Sequence, residues 1–295
     1  QLRQLIGAAD VIIESFPPGV AARLGLSPAD IQGLNGDAVL CSISAFGDGP
    51  LGSAMPGYDA LVQAVSGMMS FSGNPGESDV RIAPSVLDMS TAMWSCMSIM
   101  AALRNNESSP KFRHLSQCLV DTAINLMSHQ VQSYLATGIP PQKLGSGAPS
   151  AVPYRVYKAG KGSFMLATAS EPQFVRLCST LGMEQLVDDP RFSTMARRIE
   201  HRDALDALLQ QRFAEQDASY WLAALASNGL SVGPVNDLQE ALQLDVVQER
   251  NLFLDPLATG AQRGQPLLRS PLDHQAQGLR RQPPRLGEHS ADILA

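Results

Sequence analysis

The sequence predicts an α/β fold in which a larger domain built on a parallel sheet is followed by a smaller α+β domain. Three observations carry this expectation. Over the first 137 residues, short β-branched runs alternate with apolar helical stretches, the order in which helices cross a parallel sheet. Gly138 to Pro149 then gathers Gly and Pro in one place, the composition of a domain boundary. Beyond it the texture changes to a hairpin and charged amphipathic helices. With 295 residues, 44% hydrophobic and 17% charged, the chain has material for a core in each part. The expected divisions are 1–137 for the large domain, 138–152 for a linker with a glycine loop, 153–245 for the small domain and 246–295 for a C-terminal segment.

The elements follow in order. The chain starts with Gln and soon enters Val11 to Ile13, a β-branched run that reads as a buried strand ending at a Phe-Pro-Pro-Gly turn. Ser27 and Pro28 open a short helix as N-cap and first helical residue. Ala38 to Phe46 is a second strand. Tyr58 to Met69 and Asp88 to Leu103 are apolar all round, the pattern of buried helices. After a polar break at Asn105 to Pro110, Leu115 to Val120 reads as a strand and Asp121 to Leu135 as a helix. Tyr154 to Ala169 is a hairpin turning at Lys158 to Gly162. Helices are expected near Gln173 to Leu181, Arg198 to Phe213 and Ala218 to Asn228. The tail from Arg281 to His289 is Pro-rich, and Ala291 to Leu294 can form a short docking helix.

Composition narrows the function. The net charge is −6 and the basic residues are scattered, so the basic footprint of a nucleic-acid binder is missing. The longest apolar stretches, such as Ala92 to Leu103, are broken by Ser and fall short of the roughly 20 residues that span a bilayer. Four dispersed cysteines in apolar surroundings read as reduced thiols of a cytoplasmic protein, and neither Cys nor His clusters at metal-ligand spacing. GxSxG, P-loop and GxGxxG motifs do not occur, and the residues by themselves describe an α/β enzyme that binds a small acidic ligand.

Several positions can carry chemistry. Asp88 stands between apolar neighbours where an extended stretch meets a buried helix; burial of a carboxylate is costly unless it is satisfied or used. It can be a helix N-cap accepting from the amides of Ser90 or Thr91, or a nucleophile kept ionised by free amides and the helix dipole, and the two roles are compatible. Pro56, Gly57 and Tyr58 form a site where backbone can approach a ligand; on the bland reading Tyr58 is a core residue and Asp59 a plain first-turn acid. Ser15 and Phe16 follow a strand at the edge where α/β sheets bind ligands, and Arg23 can meet a phosphate or simply be solvated. Gly145, Ser146 and Gly147 are either a mobile active-site loop or a connector.

The chain resembles the class III CoA-transferase family, which includes formyl-CoA and carnitine CoA-transferases, the bile-acid-inducible F proteins and, more distantly, α-methylacyl-CoA racemase. The resemblance is carried, in order, by Ala9-Asp-Val-Ile-Ile-Glu-Ser-Phe-Pro-Pro-Gly19, Ala22-Arg-Leu-Gly-Leu26, Ser42-Ile-Ser-Ala-Phe-Gly47, Pro56-Gly-Tyr-Asp59 and Gln63-Ala-Val-Ser-Gly67. Asp188-Asp-Pro-Arg-Phe192, Gly233-Pro-Val-Asn236 and Leu286-Gly-Glu-His289 complete it. It implies a Rossmann-like large domain and a smaller domain, a C-terminal segment returning to the large one, and two copies interlocked as a homodimer. Family members begin with a strand, a Gly-Pro loop and a helix, so by this resemblance the chain is N-terminally truncated.

The resemblance also implies chemistry: transfer of CoA from an acyl-CoA thioester to a small carboxylic acid, with CoA as substrate and no tightly bound cofactor. The motif position assigns the covalent carboxylate to Asp88, CoA contacts to Ser15, Phe16, Arg23, Pro56, Gly57 and Tyr58, and a shielding loop to Gly145–Gly147. Where family members often have Asn-Phe-Arg-Pro-Gly, this chain has Ser15-Phe16-Pro17-Pro18-Gly19, which removes an amide and a cation. Two alternatives compete. A racemase pairs a His at the Tyr58 position with the Asp, whereas a phenol of ordinary pKa about 10 is a poor base at neutral pH. An inactive CoA-binding or scaffold protein would keep the fold without the chemistry.

Overall fold

A computed structural model of the chain describes residues 1–104, 112–254, 266–271 and 284–294. It falls into two compact units, Gln1–Arg155 and Val156–Ala295. Unit 1 contains, in order, α1 (Leu2–Ala8), β1 (Val11–Glu14), α2 (Val20–Arg23), α3 (Pro28–Leu34), β2 (Val39–Ser44), α4 (Asp59–Val65), α5 (Val86–Arg104), β3 (Arg113–Cys118), α6 (Leu119–Leu126) and α7 (Ser128–Thr137). The strands form a parallel sheet in the order β1-β2-β3, with Ile12 beside Leu40 and Cys41 beside Leu115. Helices cover both faces. Leu40 packs with Ile6 and Ile31, while its neighbours Val39 and Cys41 point the other way onto Ile99 and Ala102 of α5. The strand period of two thus sorts one β-branched, apolar strand into two cores.

Local chemistry sets several boundaries. Ser27 and Asp30 form a reciprocal capping box at α3, with Pro28 inside it, as the sequence predicts. The helix expected from Tyr58 to Met69 stops at Val65, because Gly67 turns left-handed at φ 87° and a short 3₁₀ turn follows. The single helix expected over Asp121–Leu135 is two, α6 and α7, parted at Met127. The run before β1, read as almost immediately strand, holds α1 instead, anchored by buried Ile6.

Helix α5 begins at Val86, two residues before the expected start. It is 19 residues long and, by length and composition alone, apolar enough to cross a membrane, more than the stretch Ala92–Leu103 predicted. Its buried side includes Leu87, Ser90, Thr91, Ser95 and Ile99, whereas Met89, Met93, Met97 and Met100 are exposed. Two of the buried hydroxyls are satisfied within the unit: Ser95 donates to the Thr91 carbonyl and Thr91 to the Thr122 hydroxyl, both at 2.8 Å.

The division between the units falls within β4 (Tyr154–Lys158). Then come β5 (Ser163–Ala167), α8 (Glu171–Leu181), α9 (Met195–Glu200), α10 (Arg202–Phe213), α11 (Ala218–Ser227) and β6 (Ser231–Pro234), which pairs antiparallel with β5. Tyr157, Phe164, Phe213 and Trp221 fill the core, with Phe164 edge-on to Phe213 at 4.9 Å between centroids. Short elements close the chain: α12 (Leu238–Gln243), α13 (Asp245–Glu249), the ribbon β7 (Phe253–Leu254) with β8 (Leu267–Leu268), and α14 (Ser290–Leu294). The polar break at 105–110 and tail residues 281–283 lie outside the described residues.

Candidate functional site

The site follows from strand direction. Because β1, β2 and β3 are parallel, the segments leaving Glu14, Ser44 and Cys118 emerge at one edge of the sheet. That carboxyl edge is where open α/β sheets bind ligands. The Val120 amide donates to the Ala45 carbonyl at 3.0 Å, tying two of these segments together. Gly57 then folds back onto the end of β2, so close that a Cβ there would lie 2.7 Å from the Ala45 Cβ and 2.8 Å from the Phe46 ring. What Gly57 permits is therefore a close approach of its own chain. Tyr58 and Asp59 start α4 immediately afterwards.

Asp59 is the residue the sequence reading undervalued. It is buried, and its Oδ2 accepts the amides of Leu87 at 2.8 Å and Asp88 at 3.2 Å. The first turn of α5 is thus capped by a carboxylate 28 residues earlier in the chain. Its other oxygen accepts from the fully buried Gln63, at 2.6 Å. Asp88 is consequently not the cap: it is the third residue of the helix and gives its own N–H to Asp59. The free amides at this helix start, those of Leu87 and Asp88, are engaged by Asp59.

The Asp88 carboxylate is exposed, and among the described residues it accepts no hydrogen bond. Neighbouring protein strips part of its hydration, and the negative charge of Asp59 adds repulsion; together they raise its pKa from the ordinary aspartate value. A reachable carboxylate with no partner and a raised pKa is equipped to act as a nucleophile or a base.

The other predicted residues lie on several segments of unit 1. Tyr58, expected in the core on the bland reading, is 83% exposed directly before Asp59. Pro56 is exposed beside half-buried Gly57. Ser15 and Phe16 are exposed just past β1, where the Phe16 amide donates to Glu14 at 2.9 Å, and Arg23 ends α2 with its guanidinium over Gly19. No hydrogen bond joins Ser15, Phe16 or Arg23 to the Asp59–Asp88 cluster among the described residues. Gly145 donates its N–H to the Gly73 carbonyl at 2.9 Å, and nearby Lys143 holds Asp79 at 2.6 Å; Gly147 closes a turn on Leu144. Gly145, Ser146 and Gly147 thus sit in a loop docked on residues 73–79. A separate cleft between α5 and α6, lined by Trp94, Ser98, Asp121 and Asn125, does not include Asp88. No group of three potential metal ligands occurs among the described residues.

Comparison with known proteins agrees with this architecture. The family model described as CoA-transferase family III matches residues 1–290. The succinate–glutarate CoA-transferase of Agrobacterium fabrum is 33% identical, aligned over 100% of this chain and 74% of that protein. The acetyl-CoA:oxalate CoA-transferase of Acetobacter aceti is 32% identical over 85% of this chain and 65% of its own length. The human succinyl-CoA:glutarate CoA-transferase is 28% identical over 99% and 67%. The chain thus spans about two thirds to three quarters of the length of these relatives. Among solved structures, a CaiB/BaiF family protein of Brucella suis superposes with a TM-score of 0.82 at 31% identity, over 99% of this chain and 76% of that one. With the parallel sheet, the ordered motifs and these matches in agreement, the chain belongs to CoA-transferase family III, a family of enzymes.

Proposed function

We propose that the protein moves CoA from an acyl-CoA thioester to a carboxylic acid and that Asp88 carries the CoA between them. The observation that carries this reading is the exposed Asp88 carboxylate, which accepts no hydrogen bond among the described residues and stands at the start of α5. An Asp88 oxygen attacks the thioester carbonyl and expels CoA thiolate, leaving a mixed anhydride. The thiolate attacks the Asp88 carbonyl carbon, which releases the donor acid and forms an aspartyl-CoA thioester. The acceptor carboxylate attacks that thioester, and the thiolate it frees attacks the acceptor's acyl carbon, regenerating the Asp88 carboxylate. Each step exchanges one acyl bond for another, so neither a redox partner nor a net proton is needed.

The acids named in the relatives above, succinate, glutarate and oxalate, are dicarboxylates, which makes short dicarboxylates the first acceptors to assay. Ser15, Phe16, Arg23, Pro56, Gly57 and Tyr58 are the proposed CoA contacts, and the Gly145–Gly147 loop is the proposed substrate loop. The exposed methionine face of α5 favours a homodimer that covers it. The opposite face, with Ser90, Thr91 and Ser95, packs inside unit 1, which favours a protein that does not cross a membrane. Four free thiols, three of them buried, fit the cytoplasm.

The test is hydroxylamine trapping after incubation with succinyl-CoA, read by mass spectrometry. A hydroxamate on Asp88, absent from Asp88→Ala, is the expected result, with transfer reduced on the order of 10⁴-fold in the variant. A CoA-binding protein that yields no such adduct would refute the assignment.

A further inference from the structure

Among the described residues the Asp88 carboxylate has no partner, yet the backbone beneath it is held by side-chain hydrogen bonds. Gln63, one turn after Asp59 on α4, is fully buried and uses its whole amide. Its Oε1 accepts the Ile82 N–H at 2.8 Å; its Nε2 donates to Asp59 at 2.6 Å and to the Ile82 carbonyl at 3.3 Å. Asp59 then accepts the amides of Leu87 and Asp88. The extended segment leading into α5 is therefore pinned at both ends, at Ile82 by Gln63 and at the first helical turn by Asp59. Leu87, wholly buried against Val62 and Met68, fixes the same turn from below.

We infer that Asp59 and Gln63 are positioning residues of the reaction: this buried pair sets where the first turn of α5 presents the Asp88 carboxylate to a bound thioester. The inference rests on the proposed role of Asp88. Both side chains are buried, so each acts through the backbone it holds. An acyl transfer needs the attacking oxygen aligned on the carbonyl carbon, and a displacement of about 1 Å costs on the order of 10²-fold in rate.

The pair can be tested by exchanging donor and acceptor. In Asp59→Asn, an amide oxygen kept on the α5 amides turns the new NH₂ toward the Gln63 NH₂, two donors facing each other. In Gln63→Glu, two carboxylates face each other. In the double variant the amide introduced at position 59 donates to one oxygen of the carboxylate introduced at position 63, while the other oxygen accepts the Ile82 N–H. The bond between the two side chains is thus restored with its polarity reversed, and only the longer donation to the Ile82 carbonyl, 3.3 Å, is lost. With the full chain and succinyl-CoA, each single variant should lose about 10²-fold in kcat and in Asp88 labelling, while KM moves less than about threefold. The double variant should recover to within about tenfold of wild type.

Wild-type labelling rates in both single variants, or a double variant no better than the worse single, would overturn the inference. Asp59→Asn is nearly isosteric and carries the test if Gln63→Glu does not fold. Amide hydrogen exchange at Leu87 and Asp88 separates the two proposals. Absent labelling in wild type defeats the assignment of Asp88. Exchange that stays at the wild-type rate in Asp59→Asn defeats the positioning role, whereas faster exchange that the double variant reverses supports it.

Discussion

Arg198 in unit 2 and Asp59 in unit 1 are both ionisable and both buried, but their surroundings are put to different use. Arg198 donates to Glu171 and to the Phe192 carbonyl, each at 2.8 Å, and its guanidinium lies 4.2 Å from the centre of the Phe174 ring. Its partners come from α8 and from the Asp188–Phe192 stretch that leads into α9, so the charge ties three segments of one unit together. Asp59 is equally occupied, but one of its hydrogen bonds ends at the backbone of Asp88, whose own side chain is exposed. A buried charge surrounded by its partners is architecture; one that organises an unsatisfied neighbour is the mark of a site.

That contrast breaks if the two kinds of residue respond alike. The largest stability effect is expected from Arg198→Met, which removes the guanidinium from a fully buried position and leaves the Phe192 carbonyl without this donor. Unit 2 should lose about 3 kcal/mol, read as a fall of about 10 °C in Tm. Asp88→Ala, by contrast, should shift stability by less than about 0.5 kcal/mol while abolishing transfer, because the side chain is exposed and accepts no hydrogen bond. Chemical denaturation of both variants beside wild type checks the pair. Equal destabilisation would mean that Asp88 is a structural residue like Arg198.

Gly57→Ala probes the boundary between the two behaviours. The added methyl meets Ala45 and the Phe46 ring well inside contact distance, so α4 must shift, at a cost of about 1–3 kcal/mol. Because α4 carries Asp59, the transfer rate should fall as well. A variant that loses stability but keeps its full rate would uncouple the edge of the sheet from Asp88.

How much of this was legible depended on whether the controlling contact was local. Strands β1 and β2 announce themselves in runs that carry Val and Ile, and the capping box at Ser27–Asp30 is contained within four residues. By contrast β3, Arg-His-Leu-Ser-Gln-Cys, has no β-branched residue and is set two residues earlier than the Leu115–Val120 stretch expected, because Leu119 and Val120 already belong to α6. Asp88 drew attention through its apolar neighbours and through the family motif. Its misreading as a cap has a plain cause: an acid just before an apolar run is the local signature of a cap, whereas the real one is supplied by Asp59 from a different helix. Asp59 taken by itself does not distinguish a buried bridge from a surface first-turn acid. The spacing of Asp59 and Gln63, four residues apart on one helical face, was the available signal. Strand β6 was missed because Gly233-Pro234 reads as a breaker, yet Pro234 lies at the sheet's outer strand, where a missing donor is tolerated.

The finest test of the contrast uses two carboxylates displaced in opposite directions. Asp88 is raised, first by partial burial and then by Asp59. Glu171 is lowered, chiefly by the hydrogen bond from Arg198. For Glu171 the sign is that of a group stabilised as its anion: its contribution is present above the ordinary carboxylate range and is lost as pH falls through the lowered value. Glu171→Gln should therefore flatten the acid limb of the stability curve while changing stability at neutral pH by less than about 1 kcal/mol, since the carboxylate is half exposed. For Asp88 the folded state favours the protonated acid, so its effect on stability is favourable at low pH and fades as pH rises through the raised value. The rate behaves oppositely, because only the anion attacks: transfer should decline as pH falls through the raised value. Asp59→Asn, which removes the neighbouring charge, should move that decline to lower pH, whereas Glu171→Gln should leave it in place. Rate and stability profiles measured on the same three proteins decide the matter, and an acid limb unmoved by Asp59→Asn would mean that the groups titrating there are not Asp88.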